Sequence, residues 1–152
     1  MTETSNREIS ITKIYNAPRE LVFDVFTQPE HVKHWWGPNG FTNTIFKMDV
    51  RPGGEWEFIM HGPDGTDYKN KNVFVVVDRP NKLVFEHVTG PRFQTTVLFK
   101  ALPDKKTELA FTMLFETQEQ RDQTIKTFGA EEGLKQTLGR LENYLPKGEV
   151  IS

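Results

Sequence analysis

Histidine is the side chain best suited to moving a proton near neutral pH, and the chain has four: His31, His34, His61 and His87. His31 and His34 are three residues apart beside Glu30, a spacing that can set two imidazoles on one helix face, as metal sites need. No third ligand follows nearby and there is no cysteine, so no metal site is expected. His87 stands differently. In "LVFEHV" it keeps phase with Leu83 and Phe85 and opposes Glu86, so it shares the apolar face. An inward imidazole can bond a ligand's carbonyl or hydroxyl, or act as acid or base. The plainer reading is a core histidine bonded to backbone or water. One such group does not make a mechanism, and no catalytic residue is assigned. His61 ends a strand on the polar side and reads as an exposed turn residue. Asp64 and Asp67 flank a hairpin tip and read as turn-shaping carboxylates.

Other chemistries drop out. "RPGGEW" has paired glycines but neither GxGxxG spacing nor a following helix, so it reads as a bulge or tight turn. No nucleophile elbow, phosphate-binding loop or dinucleotide fingerprint occurs, and no cofactor is expected. Without cysteine there are no disulfides, thiolate metal sites or cysteine nucleophiles. That suits a reducing cytoplasm, the expected location. A net charge of −2 and a pI near 6.1 give no basic excess for a nucleic-acid backbone. The runs "KNK" (69–71) and "DKK" (104–106) read as solvated turns. The opening "MTETSNRE" is polar, unlike a leader, and no apolar run nears the ~20 residues of a membrane span.

The elements that would carry these residues form one domain over 8–146, with a disordered stretch at 1–7 and a flexible tail at 147–152. "EISITKIY" alternates and reads as a strand. Pro18 then opens a helix with Leu21, Val22, Val25 and Phe26 as one stripe, and Pro29 opens a second short helix. From Phe41 to Glu116 short strands alternate with turns rich in Pro, Gly, Asn and Asp, predicting antiparallel hairpins. One face of that sheet is aromatic and the other mostly polar. "NVFVVVD" is apolar on both faces, so alternation does not orient it. Thr117, with Gln120 three residues on, begins the last helical region, which Gly129 breaks. Leu134, Leu138, Leu141 and Leu145 form its apolar stripe, and Pro146 is expected to end it. The fold class is α+β: a curved antiparallel sheet of about six to seven strands wrapped on a long C-terminal helix.

Two adjacent tryptophans interrupt this pattern in "HWWGPNGF". Consecutive helical residues point about 100° apart, so both rarely face one way. Trp35 is expected to plug the core and Trp36 to stand at the mouth of any cavity. The expected lining is Trp36, Trp56, Phe58, Phe85, His87, Phe99, Phe111, Met113, Phe128, Leu134 and Leu138. The alternative is a core in which the same rings pack to native density.

The order of elements, with "NAPRELVFDVFTQPEHVKHWWGP", "DVRPGGEWEF", "DRPNKLVFEH" and "LKQTLGRLENYL", resembles the START-like, birch-pollen-allergen-type helix-grip superfamily, also called SRPBCC. Within it the chain is similar to the activator of heat-shock-protein-90 ATPase homologue (AHSA) family. The resemblance spans Glu8 to Leu145 and implies a cavity between sheet and last helix. Family members often have Gly-Trp opening that helix; here Gly133-Leu134 leaves more room. Many also carry a glycine entering the fourth strand, where this chain has "KNKNVF". The function implied is binding of a small apolar, aromatic or lipid-like molecule, without catalysis. The alternatives are a protein-interaction or chaperone-regulating module, tied to stress response, or less plausibly a cyclase- or hydrolase-like enzyme. A monomer or a homodimer fits either.

Overall fold

The computed structural model describes the backbone of residues 5–89 and 92–151 and the side chains of 6–89 and 92–145. Residues 1–4 of the stretch expected to be disordered lie outside these. Ser5–Arg7 instead forms a 3-10 turn, and Arg7 Nη1 donates to the carbonyls of Phe115 and Glu116 at 3.1 and 3.2 Å.

The elements follow in the order β1 (Glu8–Tyr15), α1 (Arg19–Thr27), α2 (Pro29–Trp35), β2 (Thr42–Met48), β3 (Glu55–His61), β4 (Asp67–Asp78), β5 (Lys82–His87), β6 (Phe93–Leu102), β7 (Lys106–Phe115), α3 (Gln118–Phe128) and α4 (Ala130–Ile151). The strands make one curved antiparallel sheet in the order β1-β7-β6-β5-β4-β3-β2. Short turns force sequence neighbours β2 to β7 to pair in succession. The two helices after β1 carry the chain to the opposite edge, so β1 returns to pair with β7. This is the helix-grip arrangement read from the sequence.

Two elements differ from expectation. The "KNK" run is not a turn, because β4 begins at Asp67 and pairs with β3 throughout, from His61↔Asp67 to Glu55↔Val73. A continuous ladder satisfies the backbone here better than water would, and Lys71 Nζ meets Glu55 Oε2 at 2.9 Å on the outer face. The last helix also runs past Pro146 to Ile151. Proline forfeits one ladder bond, that to the carbonyl of Glu142, but Glu142 is exposed and solvent can meet it.

The apolar face of the sheet is covered at one end by α1, α2 and the C-terminal half of α4. Trp35 is 0% exposed. Its Nε1 donates to the carbonyl of Val25 at 3.0 Å, and its ring meets Phe26 edge-on at 4.8 Å. Trp36, one residue on, is half-buried and packs on Trp56 at 5.0 Å.

Two side chains finish the C-terminus of α2, whose last carbonyls have no intrahelical partner. Asn43 Nδ2 donates to the carbonyl of Trp36 at 2.8 Å. From α4, Arg140 donates to the carbonyls of His34, Gly37 and Pro38 at 3.1, 2.9 and 2.9 Å. Burial pulls this guanidinium below its ordinary pKa. The acceptors offset that loss of hydration, and a cation at a helix C-terminus is favourable in itself.

Two expectations follow from this packing. In denaturant titrations Trp35→Ala should cost ~3–5 kcal/mol, as buried Trp truncations do, and Trp36→Ala distinctly less; equal losses would contradict the division between them. Arg140→Ala should cost about 2 kcal/mol, the scale of hydrogen bonds to a charged group, and Arg140→Lys should recover less than half, since an ammonium lacks the fork that spans several carbonyls. Full recovery by lysine would show that charge alone matters.

Candidate functional site

Helix α4 turns two kinds of residue toward the sheet. Leu138, Leu141 and Leu145 are buried, and the Tyr15 hydroxyl donates to the carbonyl of Leu138 at 2.9 Å. Burial, then the nearby Glu142 charge, raises the Tyr15 pKa, so that hydroxyl keeps its proton to donate. Before Leu138 the same stripe offers Ala130, Gly133, Leu134 and Thr137, mostly small. Gly133 lies so close to Pro38 that a Cβ there would stand 3.3 Å from its Cγ. Opposite these small residues the sheet presents Phe58, Phe85, Phe111 and Met113. The helix cannot fill what lies between, and a chamber of about 220 Å³ remains, walled also by Trp36, Gly37, Met60, Phe93 and Thr95.

The chamber opens outward. A hollow of about 510 Å³ shares Pro38, Met60, Asn70, His87, Phe93, Met113 and Phe128 with it and continues to Phe41, Tyr68 and Thr127. Phe128, 59% exposed, stands where the two spaces meet. It ends α3, and the next residue, Gly129, takes the left-handed conformation (φ 62°) that caps α3 and turns the chain into α4. Thr117 caps the other end of α3, accepting from the Gln120 amide at 3.0 Å.

A polar corner interrupts this apolar wall. His87 Nε2 lies 2.6 Å from Asn70 Oδ1 and 3.2 Å from Thr89 Oγ1, and the ring stacks on Phe93 at 4.7 Å. Asn70 Nδ2 donates to the carbonyl of Tyr68 at 3.0 Å, which assigns its oxygen to His87. Asn72, 2% exposed, is in register with His87 and lies deeper. Sequence reasoning named only His87 here. Asn70 and Asn72 come from "KNKNVF", where the family resemblance leads one to expect a glycine. Their alternate spacing within the run is the signal that could have found them.

Of the residues expected to line a cavity, Trp36, Phe58, Phe85, His87, Phe111, Met113, Phe128 and Leu134 come together around the chamber. Trp56, Phe99 and Leu138 face the same way but lie outside it. Trp56 stacks between Phe58 and Phe74 (4.8 and 6.1 Å), Phe99 packs on Phe23 and Phe26 (5.1 and 5.6 Å), and Leu138 belongs to the sealed end of α4. The other histidines do structural work. His31 Nδ1 lies 2.6 Å from the Tyr144 hydroxyl and His34 stacks on the same ring, so the pair grips α4. No cluster able to hold a metal occurs among the described residues. His61 bridges Asp67 (2.7 Å) and Thr44 (2.8 Å) across the outer face, and Asp64 Oδ1 accepts from the Thr66 amide at 3.0 Å, shaping the hairpin tip. Among the described residues no helix is long and apolar enough to cross a membrane.

Comparison with solved structures supports the fold. A protein from Arthrobacter aurescens matches with a TM-score of 0.87 at 23% identity, over 95% of this chain and 88% of its own. One from Nitrosomonas europaea gives 0.84 at 20%, over 94% and 96%. An AHSA1-like protein from Aeromonas hydrophila gives 0.71 at 22%, over 90% and 92%. No protein of curated function matches the sequence. The family model described as "Activator of Hsp90 ATPase homolog 1-like protein" matches residues 16–146, nearly the whole of the fold built above, and the chain belongs to that family.

Proposed function

We propose that this protein binds a small apolar molecule between the aromatic sheet face and the N-terminal half of α4. The observation that carries this reading is the pairing of that face with small helix residues, which leaves a chamber open to the surface past Phe128. The apolar walls of this open space forgo the packing contacts that a filled sheet–helix interface would make. At about 220 Å³ the inner chamber is smaller than the ~300–1,000 Å³ of pockets for drug-sized ligands, so it suits a body of one or two rings. The outer hollow has room for a longer tail. No catalytic role is proposed for His87, whose Nε2 is engaged by Asn70 and Thr89.

A second reading is a protein-interaction module that regulates a chaperone. It is favoured by the family's description as an activator of Hsp90 ATPase homologue. The two readings are compatible, since an outer surface and an inner chamber can serve different partners.

For the first reading, naphthalene titrated into the protein should change tryptophan fluorescence in a saturable way, because Trp36 forms part of the wall. Ala130→Phe, which puts a ring into the open end of the chamber, should weaken that binding about tenfold or more without unfolding the protein. Unchanged affinity in the variant would refute the placement. For the second, the chain should raise the ATPase rate of a heat-shock-protein-90 chaperone severalfold at stoichiometric concentration; a flat rate dismisses it.

A further inference from the structure

Helix α3 is tied to its neighbours mainly at its start. Arg7 holds the carbonyls of Phe115 and Glu116 just before the helix, and Arg121 Nη1 donates to the carbonyl of Glu8 at 3.4 Å. Farther along, Thr124 is buried and Ile125 packs partly against the core. Beyond Ile125 the polar links stay within the helix or run along the chain. Gln123 Nε2 donates to Thr127 Oγ1 at 2.7 Å, and the Gly129 amide donates to the carbonyl of Ile125 at 2.8 Å. Among the described residues no hydrogen bond or ion pair joins residues 126–128 to another element.

Open space lies on both sides of this last turn. On one side is the outer hollow of about 510 Å³. On the other, a hollow of about 410 Å³ separates Ile125 and Gly129 from Ile9 and Ile11 of β1. Gly129 suits a pivot between them. It already has a positive φ of 62°, and a Cβ there would meet nothing within 4 Å.

Phe128 is placed oddly for a side chain with only a structural task. It borders both the chamber and the outer hollow, yet it is 59% exposed and no other aromatic ring packs on it among the described residues. An apolar ring gains by leaving water. Folding inward over an empty chamber would bring it few atoms to rest on. A ligand in the chamber supplies that surface, so an inward position is favoured when the site is filled.

Resting on the small-molecule reading above, we propose that the last turn of α3 is a lid. With the chamber occupied it pivots at Gly129, and Phe128 comes down on the ligand across the mouth. The start of α3, held by Arg121, stays in place. Phe128 therefore governs how long a ligand is retained, which a fixed wall residue does by contact alone and a lid does by moving.

The test measures amide hydrogen exchange by NMR on the full chain, with and without saturating naphthalene, in the wild type and in Phe128→Ala. Because the side chain is exposed, the variant should fold normally. In the wild type naphthalene should slow exchange at residues 125–129 about tenfold relative to residues 121–123, the worth of burying much of one phenyl ring. Phe128→Ala should still bind naphthalene, release it about tenfold faster in stopped-flow tryptophan fluorescence, and lose the slowing at 125–129. Saturable binding with no change of exchange at 125–129 overturns the lid and leaves the small-molecule reading intact. So does slowing that persists undiminished in Phe128→Ala. Failure of naphthalene to bind the wild type removes the small-molecule reading, and this inference with it.

Discussion

Arg140 holds the carbonyls of His34, Gly37 and Pro38 with one guanidinium. One turn before it on α4, Gln136 Oε1 accepts from the Asn39 amide at 3.0 Å. Between them Leu138 takes the Tyr15 hydroxyl on its carbonyl. These ties fix the last helix along its own axis against both the α2 turn and β1. A slip of one turn, about 5.4 Å, would break all of them at once. It would also carry Thr137 to where Gly133 now stands and so narrow the chamber. The empty space therefore follows from a register, set by polar groups at the edge of an apolar interface.

The same ties explain why the two halves of α4 differ. Where Leu138, Leu141 and Leu145 meet Tyr15 and the short helices, burial of large apolar side chains supplies the stabilisation. That half can hold the helix in place while the other half, lined by Ala130, Gly133 and Thr137, gives up packing. His31 and His34 add to the anchored half by clasping Tyr144. The polar corner of His87, Asn70 and Asn72 lies at the under-packed half. The tightly packed contacts and the open space thus belong to different segments of a single helix.

Much of this was legible in the sequence. Strand alternation identified the aromatic face, and Thr117, Gly129 and the leucine spacing located the helices. Periodicity gives direction but not depth, which is why Trp56, Phe99 and Leu138 were expected at the cavity and belong to solid core. The ambiguity of "NVFVVVD" has a physical cause: the register of β4 against β5 shifts between Phe74 and Val76. Upstream of that bulge Asn70, Asn72 and Phe74 face in, and beyond it Val77 does, opposite Leu83, so no single alternation describes the strand. "KNK" looks like a turn from its charges alone, because the strand that pairs with it lies outside the local pattern. Arg140 left no local signal at all, since its acceptors lie about a hundred residues earlier in the chain.

Methionine methyl groups offer the most direct check that the space is a ligand chamber and not only a packing defect. Met60 and Met113 line it, whereas Met48 packs against the core elsewhere. In a protein labelled at the methionine methyl carbons and titrated with naphthalene, the Met60 and Met113 resonances should shift together and saturate while Met48 stays still. Shifts of equal size at Met48, or saturable binding that moves neither Met60 nor Met113, would place the ligand elsewhere and contradict the chamber.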